Sequence, residues 1–188
     1  MENEIILGDA YELIKTLPDK SVDLIVTDPP YLYDRTGFAK ERKTGILRDR
    51  TTQFDIHLAE NGLLDGIDFK ILEEFIRVMK KINCYIWCNK AQIYDYLTYF
   101  VKDRGCNWEM LIWTKDEVTP FCGSHYLIDK EYCLYFWETG AKVEIPYERG
   151  KTVFFTRVNK ADKKLYGHPT IKPEEIIENL ILNSSGGG

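Results

Sequence analysis

The chain has 188 residues, one domain's worth at roughly 100–200 residues per domain. Its 44% hydrophobic, 13% aromatic and 29% charged residues fit a soluble globular core and exclude a disordered tail, a collagen-like rod and a disulfide miniprotein. The net charge of −5 argues by itself against a nucleic-acid binder, but the basic residues are unevenly spread. Arg35, Lys40, Arg42, Lys43, Arg48 and Arg50 outnumber the acidic residues between Asp34 and Arg50, and a second basic run spans Tyr147 to Tyr166. Two basic islands on an acidic body are suited to a phosphate backbone, with the first island supplying the candidate contacts; the alternative from composition is that both are solvated loops.

In chain order, Glu4–Leu7 reads as a short apolar strand ending at Gly8-Asp9. A helical pattern follows over Ala10–Leu17, capped by Asp9 and stopped by Pro18. Val22–Val26 is a second strand, and its near-continuous apolar run suits a parallel strand buried on both faces. It ends at Thr27-Asp28-Pro29-Pro30-Tyr31, where two prolines forbid further pairing. Residues 32–66 show no sustained period and read as a lid or binding loop. The spacing of Phe69, Leu72, Phe75, Ile76 and Met79 predicts a helix over Asp68–Lys81.

Further strands are predicted at Cys84–Trp87, about Trp108–Trp113, Tyr132–Trp137 and Thr152–Thr156, with a helix at about Ala91–Lys102. A closing helix begins at Pro173, with Glu174 and Glu175 complementing its positive end, and runs through Ile181. Ser184–Gly188 has the composition of a linker. The alternation predicts an α/β fold with a mostly parallel sheet and helices on both faces. Ligands in such sheets bind outside the carboxyl ends of the strands, where Asp9 and Asp28 fall. No apolar run approaches the ~20 residues of a membrane helix, and the N-terminus has no basic, apolar leader, so the expected location is the cytoplasm. Five cysteines, odd in number and without a CxxC pair, read as free thiols in a reducing compartment, and no metal site is expected.

Asp28-Pro29-Pro30-Tyr31 is the stretch with the clearest chemistry. Stiff prolines leave the carbonyls around them without a following ladder, so these acceptors and the Asp28 carboxylate can face an amino group, while Tyr31 offers a flat face to a planar heterocycle. An exocyclic amine conjugated to a base ring is a poor nucleophile. Acceptors around its two N–H bonds draw it toward a tetrahedral geometry and free its lone pair.

Leu7-Gly8-Asp9-Ala10, the run Leu17 to Tyr31, and His168-Pro169-Thr170-Ile171-Lys172-Pro173 about 140 residues later resemble β-class, circularly permuted amino-methyltransferases acting on DNA. Phe75–Lys80 and Tyr85–Asn89 also fit, so the resemblance covers nearly the whole chain. Other families bearing this tetrapeptide carry the cofactor loop ahead of it. Only 27 residues precede Asp28 here, too few for another βαβ unit of ~30 residues beside the elements already assigned.

The resemblance implies an incomplete Rossmann-like methyltransferase sheet in one domain, residues 1–188, with a lid or recognition loop at 32–66. It implies S-adenosylmethionine as cofactor and double-stranded DNA as substrate. Asp28, Pro29, Pro30 and Tyr31 would hold the target amine, with Tyr31 stacking on a base flipped out of the duplex. Thr170 and Lys172 would lie near the methionine end of the cofactor, and Asp9 with Ala10 near its adenosine end. Aspartate at the first position of the tetrapeptide suggests adenine N6; cytosine N4, where serine is more usual, is the alternative.

Family members continue past the closing helix into a strand, a glycine-rich turn and an acidic residue for the ribose, whereas this sequence ends at Gly188. Three explanations stand: a chain cut short, half of a split enzyme completed by another polypeptide, or a shortened protein that binds DNA or a partner without methylating. Each leaves an apolar edge on Val22–Val26, open to a homodimer or to a polypeptide supplying the further strands.

Overall fold

The computed structural model of the protein describes residues 3–33, 56, 64–115, 126–141, 143–156, 160–167 and 170–185. Helix α1 (Ala10–Leu13) continues as a 3-10 turn, Ile14–Thr16, and the Asp9 carboxylate accepts the Tyr11 backbone N–H at 2.8 Å, the expected cap. Strand β1 (Ile25–Thr27) leads to the Asp28 corner. Helix α2 (Lys70–Val78) precedes β2 (Asn83–Cys88), and α3 (Ile93–Leu97) runs on as a π-helical turn, Thr98–Lys102. Then come β3 (Asn107–Lys115), β4 (Lys130–Trp137), β5 (Val153–Thr156), α4 (Lys160–Tyr166) and α5 (Glu174–Ser184). Helix α4 has no counterpart in the sequence reading.

The five strands form one sheet in the order β1-β2-β4-β3-β5. β1 and β2 are parallel, as are β3 and β5, but β4 runs antiparallel to both of its neighbours. The expectation of a mostly parallel sheet is therefore corrected to a mixed one. An apolar run reports that a strand is covered on both faces, not which way it points, and β4 is central and covered like β2.

Alternate residues of β2 serve two cores. Cys84, Ile86 and Cys88 pack with Leu72, Phe75 and Met79 of α2 and its end and with Tyr96 and Phe100 of the α3 segment. Tyr85 and Trp87 pack on the opposite face with Trp113, Tyr135, and Ile176 and Leu180 of α5. Helices thus cover both faces, as expected. Cys84, Cys88, Cys106 and Cys133 are buried free thiols.

The strand expected at Glu4–Leu7 does not form: these residues are irregular, and Ile5 and Leu7 are fully exposed. A lone apolar segment has no ladder to join unless a neighbouring strand offers its edge. β1 pairs with β2 on one side and, among the described residues, with no strand on the other.

Helix α5 is pinned antiparallel to β1, and this fixes the site. At its C-terminal end the Asn83 amide donates to the Ser184 carbonyl at 2.7 Å and to the Asp23 carbonyl at 3.0 Å. Tyr135 donates to the Asn83 amide oxygen at 2.9 Å, and the Ser184 hydroxyl joins Tyr85 at 2.8 Å and Tyr135 at 3.1 Å. Eleven helical residues rise about 16 Å, close to the ~17 Å that five residues of strand cover from Asp23 to Asp28. The N-terminal end of α5, with Lys172 just before it, therefore arrives at the tip of β1.

Candidate active site

The tip of β1, the C-terminal ends of β2 and β3 and the N-terminal end of β4 share one edge of the sheet, because β4 runs against the others. Each contributes side chains on the α5 face there: Asp28 after β1, Trp87 from β2, Trp113 and Lys115 from β3, and Glu131 from β4. Lys172 enters from the start of α5.

The Lys172 ammonium lies 2.5 Å from one Asp28 oxygen and 3.1 Å from a Glu131 oxygen. It also stands 5.4 Å from the centre of the Tyr31 ring and 5.2 Å from that of Trp87, within cation–π range. The Tyr31 hydroxyl lies 3.0 Å from the other Asp28 oxygen and 3.3 Å from Glu131, so its single proton is shared between two carboxylates. Lys115 pairs with the second Glu131 oxygen. Two carboxylates and two ammonium groups leave the cluster formally neutral.

Burial is graded across this network: the side chains of Lys172, Glu131 and Asp28 are 9%, 14% and 35% exposed. Asp28 thus opens to solvent, while Glu131 forms the floor. Burial alone would raise the Glu131 pKa, but Lys172 and Lys115 outweigh it and hold the carboxyl below its ordinary value, so it is ionised at neutral pH. Burial first, then the Asp28 and Glu131 charges, pushes the Tyr31 phenol far above its usual range and keeps it protonated as a donor.

A second set of contacts braces the loop. The buried Gln92 side chain donates to the Pro30 carbonyl at 3.3 Å, and Asn89, just past β2, donates to the Leu32 carbonyl. Leu32 bridges to Asp65, and the Tyr33 N–H reaches the Leu64 carbonyl at 2.9 Å. The corner is held from both sides. Each carboxylate oxygen can accept two hydrogen bonds, so Asp28 keeps capacity for an incoming N–H beside its present partners.

Of the residues singled out from sequence, Asp28, Tyr31 and Lys172 come together, with Pro29 and Pro30 forming the turn between the first two. Thr170 is exposed, two residues before Lys172. No hydrogen bond or ion pair among the described residues joins Asp9 or Ala10 to this cluster; they form the start of α1. Arg35, Lys40, Arg42, Lys43, Arg48 and Arg50, and nearly all of the 32–66 loop, lie outside the described residues. In the second basic island, Arg149 is engaged in packing: its guanidinium donates to Asn183 at 3.0 Å.

Sequence reasoning missed Glu131, Lys115, Asn89 and Gln92 as site residues. For the first two a signal exists. Glu131 has the parity of the buried Cys133 and Tyr135, and Lys115 that of Leu111 and Trp113, so both charges sit on the inward face of their strands. An inward charge demands a partner.

The family model for N6/N4-type DNA methylases, described as DNA methylase, matches residues 22–188. Type II methyltransferase M.HpaI of Haemophilus parainfluenzae is 26% identical over 208 residues, covering 100% of this chain and 62% of that protein. Type II methyltransferase M.HinfI of Haemophilus influenzae is 24% identical, covering 97% of this chain and 56% of its own length. DNA adenine methyltransferase YhdJ of Escherichia coli K12 is 24% identical over 216 residues, covering 98% of this chain and 68% of that protein. The chain thus spans about 56–62% of the length of the first two relatives. In fold it is similar to the M1.HpyAVI–SAM complex, with a TM-score of 0.60, 20% identity, and coverage of 96% of this chain and 76% of that one.

Proposed function

This chain belongs to the N6/N4 DNA methylase family, and on that premise we propose that the protein transfers a methyl group from S-adenosylmethionine to the N6 amine of adenine at specific sites in double-stranded DNA. The observation that carries the reading is the solvent-open Asp28 carboxylate at the strand tip, oriented by Tyr31 and Lys172. The assignment of adenine rests on aspartate at the first position of the tetrapeptide, and the relative named as a DNA adenine methyltransferase accords with it.

In this mechanism Asp28 and the carbonyls of the proline turn accept the two N–H bonds of the amine, and Tyr31 stacks on the extruded base. The Tyr31 hydroxyl, fixed by two carboxylates, sets the angle of that ring. The cofactor supplies the electrophilic methyl on a sulfonium; the chain supplies alignment and a carboxylate that stabilises charge developing on the amine. The donor set fits such a cofactor. Lys172 has three N–H donors, two of which its carboxylate partners engage, leaving one for the methionine carboxylate beside Thr170. Asp9, exposed at the start of α1, is the acceptor for the adenosine end.

The cations between Arg35 and Arg50 supply phosphate contacts, and the loop at 32–66 with the stretch 141–166 supplies target recognition. Further strands, from a continuation of the protein, another polypeptide or a second copy, would extend the sheet beyond β1, a reading supported by β1 having no second strand neighbour among the described residues. The arrangement is the permuted one, and the protein works in the cytoplasm. The test is incubation with labelled S-adenosylmethionine and duplex DNA, followed by nucleoside analysis. N6-methyladenine is the expected product. N4-methylcytosine overturns the base assignment, and unlabelled DNA overturns the activity.

A further inference from the structure

We propose that Glu131 is a positioning residue of this site, holding the Lys172 ammonium between itself and Asp28 and turning the Tyr31 ring to face its substrate; the inference rests on the methyl-transfer reading above. Glu131 itself stands beneath the corner. Its position on β4 is set by the register, opposite Trp113 of β3, with Cys133 opposite Trp87 of β2. It is thus fixed by the centre of the sheet, while the corner residues come from a turn and a helix start.

Its carboxylate meets three donors from three separate elements: Tyr31 beyond β1, Lys115 of β3 and Lys172 before α5. Asp28 shares two of these donors, Tyr31 and Lys172, and is the more exposed carboxylate. The two acids therefore divide the work: the outer one faces the amine, and the inner one holds the groups that orient it. Without the inner charge, the only carboxylate left to Lys172 in the cluster is Asp28. The ammonium then sits wholly on the oxygen that must receive an N–H, and the Tyr31 hydroxyl keeps one acceptor. Lys115 makes the device neutral: it balances Glu131, so Lys172 can be held without leaving excess negative charge in a poorly hydrated place.

The test compares the full-length protein with E131Q, which keeps the shape and removes the charge, and E131D, which keeps the charge on a shorter arm. Acetic anhydride labelling read by mass spectrometry gives the freedom of each lysine, with Lys70, whose side chain is 90% exposed, as the internal standard. Lys172 is expected to label slowly in the wild type and about tenfold faster in E131Q relative to Lys70, from loss of a charge-assisted bond. E131D restores part of the protection. Methyl transfer by E131Q falls about 10- to 100-fold in kcat with KM for DNA unchanged, the pattern of a misaligned rather than an unbound substrate. Lys172 labelling unaltered by E131Q, or a loss confined to KM, overturns the role of Glu131. A wild-type protein without methyl transfer counts against the proposed function, and the labelling rates then decide whether Glu131 holds Lys172.

Discussion

Tyr31 carries two separable duties, and substitution divides them. In the proposed mechanism its ring is the stacking plate, and its hydroxyl is tied to Asp28 and Glu131. Y31F keeps the plate and loses the tie, so methyl transfer should fall by about tenfold, the loss of one hydrogen bond to a charged group. Y31A removes both and should fall by roughly 100-fold or more, with single-turnover rates separating the two. Glu131 gives a pH signature. Its folded-state pKa lies below the ordinary carboxyl value of 4.5, so its contribution to stability is full above that value and is lost as pH falls through the lowered one. The melting temperature of the wild type should therefore exceed that of E131Q at neutral pH, with the gap closing as the solution is acidified below about pH 4. At this scale Asp28 and Tyr31 stand out in the sequence because a proline-bounded corner is a local signal, whereas Lys172 is singled out only through the family resemblance. Glu131 and Lys115 were not, since their partners lie on other strands and only their parity hints at burial.

Among the elements, α5 is the lever that delivers Lys172. Its far end is fixed by Asn83, whose amide bonds two carbonyls and whose oxygen takes the Tyr135 hydroxyl. N83A removes these three hydrogen bonds, including the one to the buried Ser184 carbonyl, and should cost about 1–3 kcal/mol in urea unfolding. The same variant should loosen Lys172 and speed its acylation, although Asn83 lies at the opposite end of the helix. Helices α1, α2 and α5 and strands β2, β3 and β5 were legible from periodicity to within a few residues. The direction of β4 was not, because apolar continuity records coverage alone. Glu4–Leu7 failed as a strand for another reason: strand propensity needs an edge to pair with, and the described residues place none beside it.

At the scale of the whole molecule, the proposed function requires an acidic protein to meet a polyanion through local rather than net charge. Reversing Arg42, Lys43 and Arg48 should weaken duplex binding and flatten its dependence on salt, whereas reversal of Lys70, which lies outside both basic islands, should leave both unchanged. Binding measured across a salt series checks this. Strand addition at β1 belongs to the same scale: a βαβ segment supplied in trans should raise the melting temperature if it docks on the side of β1 that pairs with no strand among the described residues. In the proposed mechanism the Asp28 corner acts on an amine after DNA has bound. This is tested most directly by D28A, assayed in parallel for duplex affinity and for methyl transfer. Affinity is expected to stay within about threefold of wild type and transfer to fall by roughly 1,000-fold or more, as for loss of an electrostatic group at the reacting centre. Transfer that survives in D28A would contradict this mechanism.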